Sequence, residues 1–238
     1  MEIMKPRLTI EDLAQMMDFA AVQTDSSDAV VEETVRTANQ YHGYLVTCMP
    51  AQTLRAKSLL QELPHPPKLG GNVGFPSGAQ TTRIKVAETA EFMEMGVDEI
   101  DMVMNVAAHL SGRYKDVRSD IAAVVTAAQG KPVKVILECH YLSEDQIRRG
   151  CDLIIEAGAA MVKTATGWAP SGATLENIAL IKSHVGDAIG IKAAGGVRGF
   201  ETLMEMYRRG ARRFGVSAKT ADKIFKALSA NPTQLALR

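Results

Sequence analysis

The chain of 238 residues has only three cysteines, Cys48, Cys139 and Cys151, and no CxxC pair. Its five histidines show neither HxxxH nor HExxH spacing. Thiols this few and this dispersed argue against a disulfide framework and against a structural zinc site. Charge of one sign is missing too, since 27 basic residues balance 27 acidic ones. Without a one-signed field, nucleic acid and anionic membranes are poor partners. No apolar run approaches membrane-spanning length, and the opening residues MEIMKPR lack the apolar core of a secretory signal, so the expectation is a cytoplasmic protein. Neither GxGxxG nor the phosphate-loop pattern GxxxxGK(S/T) occurs, which leaves nucleotide-dependent chemistry without a signal.

What is present is apolar mass, with 46% hydrophobic residues. A chain of this size removes roughly 70–75% of its unfolded surface on folding. No linker or composition break divides it, and α/β barrels reach this length as one unit, so one domain over 1–238 is expected. Short β-branched runs alternate with amphipathic helical stretches. The runs predict strands over 16–20, 44–48, 69–75, 99–104, 133–138, 160–164, 188–193 and 212–217, the first of them faint. Helices are predicted over 27–40, 50–63, 81–95, 114–128, 143–157, 174–184 and 199–209. Eight strands alternating with helices predict a (β/α)8 barrel with a short extra N-terminal helix. Ser27 and Asp28 are placed to cap a helix, Ser143 with Gln146 reads as a capping box, and Gly96, Gly158 and Gly210 fall where helices should stop.

Charged residues inside the strand runs carry the chemistry. Asp101, Lys134, Glu138, Lys163 and Lys192 interrupt apolar segments, and alternation along a strand points each either at the helical shell or into the barrel. The shell side is apolar, which favours the interior, and five charges there must pair or react. Lys163 and Lys192 are the most informative. A desolvated lysine beside a second cation loses its proton easily, and the free amine can attack a carbonyl carbon to form a Schiff base. The competing reading is a structural ion network that fixes strand register. In a barrel enzyme the chemistry lies at the C-terminal ends of strands, where Asp101, Lys163 and Lys192 fall, whereas Lys134 opens its strand and reads as more structural. Thr166-Gly167, Gly195-Gly196 and Gly215-Val216-Ser217 follow late strands, where barrels often bind phosphate through backbone N–H groups. Trp168, on the loop after Lys163, is placed to wall a pocket, while His140 shows no evident partner.

These segments resemble the class I, cofactor-free deoxyribose-phosphate aldolase family, most densely between Val73 and Ser217. Val73-Gly74-Phe75-Pro76-Ser77-Gly78-Ala79 is similar to the family's GFPxG segment, and residues 97–105, VDEIDMVMN, to its ADE(I/V)D-x-V-x-N strand. Residues 133–138, VKVILE, resemble its LKVI(I/L)E strand. Most specific are residues 162–167, VKTATG, beside the family's VKTSTG, and residues 191–198, IKAAGGVR, beside its VKASGGIR.

The resemblance implies a barrel that cleaves 2-deoxy-D-ribose 5-phosphate to acetaldehyde and D-glyceraldehyde 3-phosphate, reversibly, in deoxyribonucleotide catabolism, with no cofactor and no metal. It makes Lys163 the Schiff-base nucleophile, Lys192 the lysine that keeps it deprotonated, Asp101 the proton-relay partner and Lys134 an ionic support. It places Gly167, Gly195, Gly196 and Ser217 at the phosphate, with Thr166 beside them. Departures lie at both ends. Asp18-Phe19-Ala20-Ala21 keeps the acid of the family's Asp-His-Thr-Leu but not its polar followers, and Thr47 stands where a cysteine is common. The G-(T/A)-S-S-G loop is here Gly215-Val216-Ser217-Ala218-Lys219, in which Lys219 is a candidate replacement for a lost hydroxyl donor. No tyrosine follows Tyr207, although some members end in one that reaches the active site. A Schiff-base aldolase for a different or unphosphorylated aldehyde, or a phosphate-binding synthase or isomerase without imine chemistry, therefore remains open. Barrel enzymes often form homo-oligomers, but no exposed apolar stripe can be assigned from sequence.

Overall fold

The computed structural model describes residues 8–230; the segments 1–7 and 231–238, the second including the tail without a tyrosine, lie outside the described residues. Thr9 opens the described chain with a capping box. Its side chain accepts from the Asp12 N–H, the Asp12 carboxylate accepts from the Thr9 N–H, and the short helix α1 (Ile10–Ala14) follows. The elements then run β1 (Met17–Ala21), α2 (Asp28–Gln40), β2 (Leu45–Cys48), α3 (Thr53–Gln61), β3 (Lys68–Val73), α4 (Thr82–Met95) and β4 (Glu99–Val103). After these come α5 (Val106–Leu110), α6 (Tyr114–Ala127), β5 (Val133–Ile136), α7 (Glu144–Glu156), β6 (Met161–Lys163) and α8 (Leu175–Val185). The series ends with β7 (Gly190–Ala194), α9 (Phe200–Arg208), β8 (Arg213–Val216) and α10 (Ala218–Ala230). All eight strands are parallel, and β8 pairs with β1 to close the barrel, so the predicted (β/α)8 architecture is the one observed.

The barrel closes because each strand is apolar toward its helices. Phe19, Met102, Val135, Val162, Ile191 and Phe214 face the shell and join one continuous core with Val35, Ile121, Ile154, Ile178 and Phe225 from the helices. Each such fully buried side chain contributes about 1.5–3 kcal/mol. Gly96, Gly158 and Gly210 adopt left-handed backbone at the ends of α4, α7 and α9, as their positions predict. Ser143 and Gln146 form the expected capping box on α7. Ser27 stands at the N-cap of α2, but its hydroxyl makes no capping bond.

Two helices fall outside the sequence expectation, α5 and α10. The predicted strand over 133–138 is also too long, because β5 stops at Ile136 and Glu138 turns into left-handed backbone with φ of 55°. No helix among the described residues is long and apolar enough to cross a membrane.

Register decides which charges meet. Asp101 lies beside Lys134, Ile136 beside Lys163, Lys163 beside Lys192, and Lys192 beside Arg213 across neighbouring strands. Because the flanking residues of each strand face the helices, these charged side chains turn into the barrel.

Candidate active site

Inside the barrel, one carboxylate holds three lysines. Asp101 Oδ2 accepts from Lys163 Nζ at 2.7 Å and from Lys192 Nζ at 2.6 Å, while Asp101 Oδ1 accepts from Lys134 Nζ at 2.8 Å. Asp18 holds Lys192 from the other side at 2.5 Å and pairs with Arg213 at 2.8 Å. Lys134 also lies 2.8 Å from Glu99, so it touches both carboxylates of β4. Asp18, Asp101, Lys134, Lys163 and Lys192 are all buried. Dry charges at this spacing stay ionised only because they are paired.

The environments pull the groups apart. Burial strips water from the Lys163 ammonium and lowers its pKa; Asp101 opposes this, Lys192 adds to it, and the result is about 8. Burial also disfavours the Lys134 cation, but Asp101, Asp18 and Glu99 outweigh it and raise its pKa. For Asp101, burial is outweighed by Lys134, Lys163 and Lys192, which hold it well below the ordinary carboxylate range. Asp18 is lowered likewise, by Lys192, Lys134 and Arg213 against burial.

Above this network opens a cavity of about 570 Å³. Lys163 and Lys192 reach its floor beside Asp18 and Thr47, and Thr166, Gly167, Gly195, Gly196, Ser217 and Lys219 line its wall. Ten of the residues singled out from sequence thus border one space, and Asp101 and Lys134 lie directly beneath it. The glycines permit this approach. A Cβ on Gly196 would lie 2.1 Å from the Ala173 carbonyl oxygen, and Gly195 adopts left-handed backbone with φ of 75°. Ser217 precedes α10, and its Oγ accepts from the Thr220 N–H at 3.2 Å, so the helix N-terminus opens at the cavity with Lys219 on its first turn. Thr47 Oγ1 accepts from Asn72 Nδ2 at 2.6 Å, which orients this residue at the cysteine position.

Glu138 differs from its expected place. It does not enter the ion network but sits at the rim, where its carboxylate accepts from the Thr166 N–H and hydroxyl, because the left-handed turn at Glu138 carries it off the strand. Burial pushes its pKa up against those hydrogen bonds. Sequence reasoning missed Glu99 and Arg213 in the network, and Arg198 and Lys223 on the cavity wall. The glycine-rich stretch ahead of Arg198 hinted at that residue, and nothing in the sequence marked Lys223. Trp168 packs edge-to-face on Phe75 at 6.1 Å and donates through Nε1 to the Val22 carbonyl at 2.7 Å, closing the rim on that side.

A parallel barrel with buried amines on a carboxylate, under a cavity walled by glycines and cations, has the constitution of an aldolase. A family model described as DeoC/LacD family aldolase matches residues 12–219, and the chain belongs to that family, which makes it a lyase. The deoxyribose-phosphate aldolase of Klebsiella pneumoniae is 42% identical over 225 residues, covering 94% of this chain and 90% of the relative. That of Thermococcus gammatolerans is 39% identical over 209 residues, covering 87% and 93%. Among solved structures, the deoxyribose phosphate aldolase of Aeropyrum pernix, described as tetrameric, superposes with a TM-score of 0.85 at 28% identity, covering 94% of each chain.

Proposed function

We propose that this chain cleaves 2-deoxy-D-ribose 5-phosphate to acetaldehyde and D-glyceraldehyde 3-phosphate, reversibly, through a Schiff base on Lys163. The observation that carries the reading is the Lys163 amine, buried on Asp101, shared there with Lys192, and open to a cavity whose wall suits an anion. Family membership and the named relatives support the substrate.

The open-chain sugar enters with its aldehyde toward Lys163 and its phosphate toward Gly195, Gly196, Ser217 and the α10 N-terminus, where backbone N–H groups and Lys219 favour negative charge. The Lys163 amine attacks C1, and the carbinolamine loses water to give an iminium. The cationic nitrogen accepts the C2–C3 bonding pair as the C3 hydroxyl loses its proton, and glyceraldehyde 3-phosphate departs. The remaining enamine is protonated at C2 and hydrolysed, which frees acetaldehyde and returns the amine. Lys192 and Asp101, acting through a bridging water, supply and remove these protons. Lys134 holds Asp101 in place from below. The iminium serves as the electron sink, so the sequence of steps calls for no metal.

Borohydride trapping with deoxyribose 5-phosphate tests the reading, with wild type compared with Lys163→Ala by intact mass and peptide mapping. The expected result is a substrate-dependent adduct on Lys163, absent from the variant. A folded protein that binds the sugar phosphate yet yields no adduct would sink the imine step.

A further inference from the structure

The ion network continues below Asp101 to the lower face of the barrel. Glu99 Oε2 lies 2.8 Å from Lys134, and Glu99 Oε1 accepts from the Tyr44 hydroxyl at 2.7 Å. That hydroxyl accepts in turn from Lys68 at 2.6 Å, and Lys68 is half exposed. Arg213 lies 2.8 Å from Asp18 and 3.5 Å from Glu99, its guanidinium 3.7 Å above the Tyr44 ring. The Glu99 and Arg213 side chains are 3% and 11% exposed, and neither borders the cavity.

The charges facing Lys163 can be taken strand by strand. Asp18 comes from β1, Glu99 and Asp101 from β4, Lys134 from β5, Lys192 from β7 and Arg213 from β8. Beside β2 stands the neutral Tyr44, β3 offers Lys68 at the lower rim, and Glu138 stands at the upper rim on Thr166. Leaving aside Glu138, which stays at the upper rim on Thr166 and is unchanged in the variants below, Asp18, Glu99 and Asp101 face Lys134, Lys192 and Arg213, so the floor of the barrel balances when Lys163 is a free amine. Protonation of Lys163 leaves one uncompensated positive charge on that floor, at a buried side chain.

We propose that Glu99 and Arg213 are positioning residues for Lys163, an opposite pair on the barrel floor that fixes the charge balance against which this lysine gains or loses its proton. The catalytic meaning rests on Lys163 as the Schiff-base nucleophile; the charge effect does not. Loss of Glu99 leaves an excess cation that opposes the Lys163 ammonium. Loss of Arg213 leaves an excess anion that favours it. At an effective dielectric of about 20, one unit charge two ion pairs away moves a titration midpoint by roughly one pH unit. Lys68 is exposed to solvent and screened, so it contributes little.

The test is a side-chain ¹⁵N NMR titration, with the Lys163 resonance assigned by its absence in Lys163→Met. Glu99→Gln is expected to lower the midpoint by roughly one unit and Arg213→Met to raise it by roughly one. Glu99→Asp and Arg213→Lys, which keep charge, should stay near wild type, as should Lys68→Met. The double variant Glu99→Gln/Arg213→Met removes one charge of each sign and should return close to wild type. It also gives the Glu99 effect, by comparison with Arg213→Met, if Glu99→Gln alone does not fold. The acid limb of kcat/KM should follow the same directions. Midpoints that stay put or move together in the single variants, or conservative variants that move as far, overturn the proposal. If borohydride traps nothing on Lys163, the nucleophile assignment falls, while the titration still tests the charge balance.

Discussion

Lys163 loses water on burial, and the cost shows in its pKa of about 8, which Asp101 offsets only in part. At pH 7 roughly one molecule in ten then carries the free amine, against about one in 3,000 for an ordinary lysine. The reactivity has a thermodynamic counterpart. The folded pKa of this base lies below the unfolded value of 10.5, so between about pH 8 and 10.5 the unfolded chain holds a proton that the folded one has released. Stability therefore rises with pH across that window, and the penalty is fully present below it. Lys163→Met, which keeps the length and removes the charge, should abolish activity yet stabilise the fold at pH 7 by roughly 3 kcal/mol, or several degrees in Tm. The gap should narrow at pH 10. Melts at the two pH values decide it: a variant less stable than wild type at pH 7, or a gap independent of pH, would remove burial of the ammonium as the source of the shift.

At the scale of elements, the turns after β7 and β8 bring the glycine-lined wall proposed to hold the phosphate to the amine. Gly196 is the tightest point, because any Cβ there meets the backbone of Ala173, which cannot rotate away. Gly196→Ala should push the loop outward, raising KM for deoxyribose 5-phosphate on the order of tenfold, the cost of about one weakened hydrogen bond to a charged group. Its effect on unphosphorylated deoxyribose should be small; equal losses on both sugars would show that the loop does not read phosphate.

Much of this element structure is legible in the sequence, because β-branched runs and glycine stops repeat around the barrel. The end of β5 is not, since a left-handed turn at a glutamate leaves no glycine to mark it. Helix α10 carries the buried spacing Ala221, Ile224, Phe225 and Leu228, yet it follows β8 after one residue, with no turn residue to separate them. Lys163, Lys192 and Asp101 stand out as charges within apolar runs. Glu99 and Arg213 do not, because each is the first residue of its strand, where a charge is ordinarily solvated. Only the closed register of eight strands carries those two inward.

For the whole molecule, the same network that prepares the amine ties strands on opposite sides of the barrel together. Asp101 on β4 holds Lys192 on β7 at 2.6 Å, Lys134 on β5 lies 3.7 Å from Asp18 on β1, and Glu99 on β4 lies 3.5 Å from Arg213 on β8. Removing Asp18, Asp101 or Lys134 leaves an uncompensated buried charge, which costs about 3–5 kcal/mol, whereas loss of Lys163 leaves Asp101 still paired with Lys134 and Lys192. In the helical shell Lys85 on α4 and Asp120 on α6 form one buried pair at 2.6 Å, while pairs such as Arg148 with Asp145 and Lys226 with Asp222 are exposed and each is worth at most about 1 kcal/mol. Acid therefore attacks the barrel interior. Asp18, Glu99 and Asp101 all have pKa values held below their ordinary range, burial being outweighed by Lys192, Lys134 and the other interior cations. For an acid lowered on folding, the stabilisation is complete above the unfolded pKa and is lost as pH falls toward the folded one. Stability should be flat with respect to these groups from neutral pH to about 5. Below about 4.5 it should fall with a slope of up to about 4 kcal/mol per pH unit, one proton for each of the three carboxylates. Salt separates this from the surface, because 1 M NaCl screens exposed pairs over about 3 Å but leaves dry ones nearly untouched. Denaturant titrations between pH 7 and 3 in low and high salt should keep the acid limb in both; a limb that salt abolishes would move the pH dependence from the interior to the helical shell.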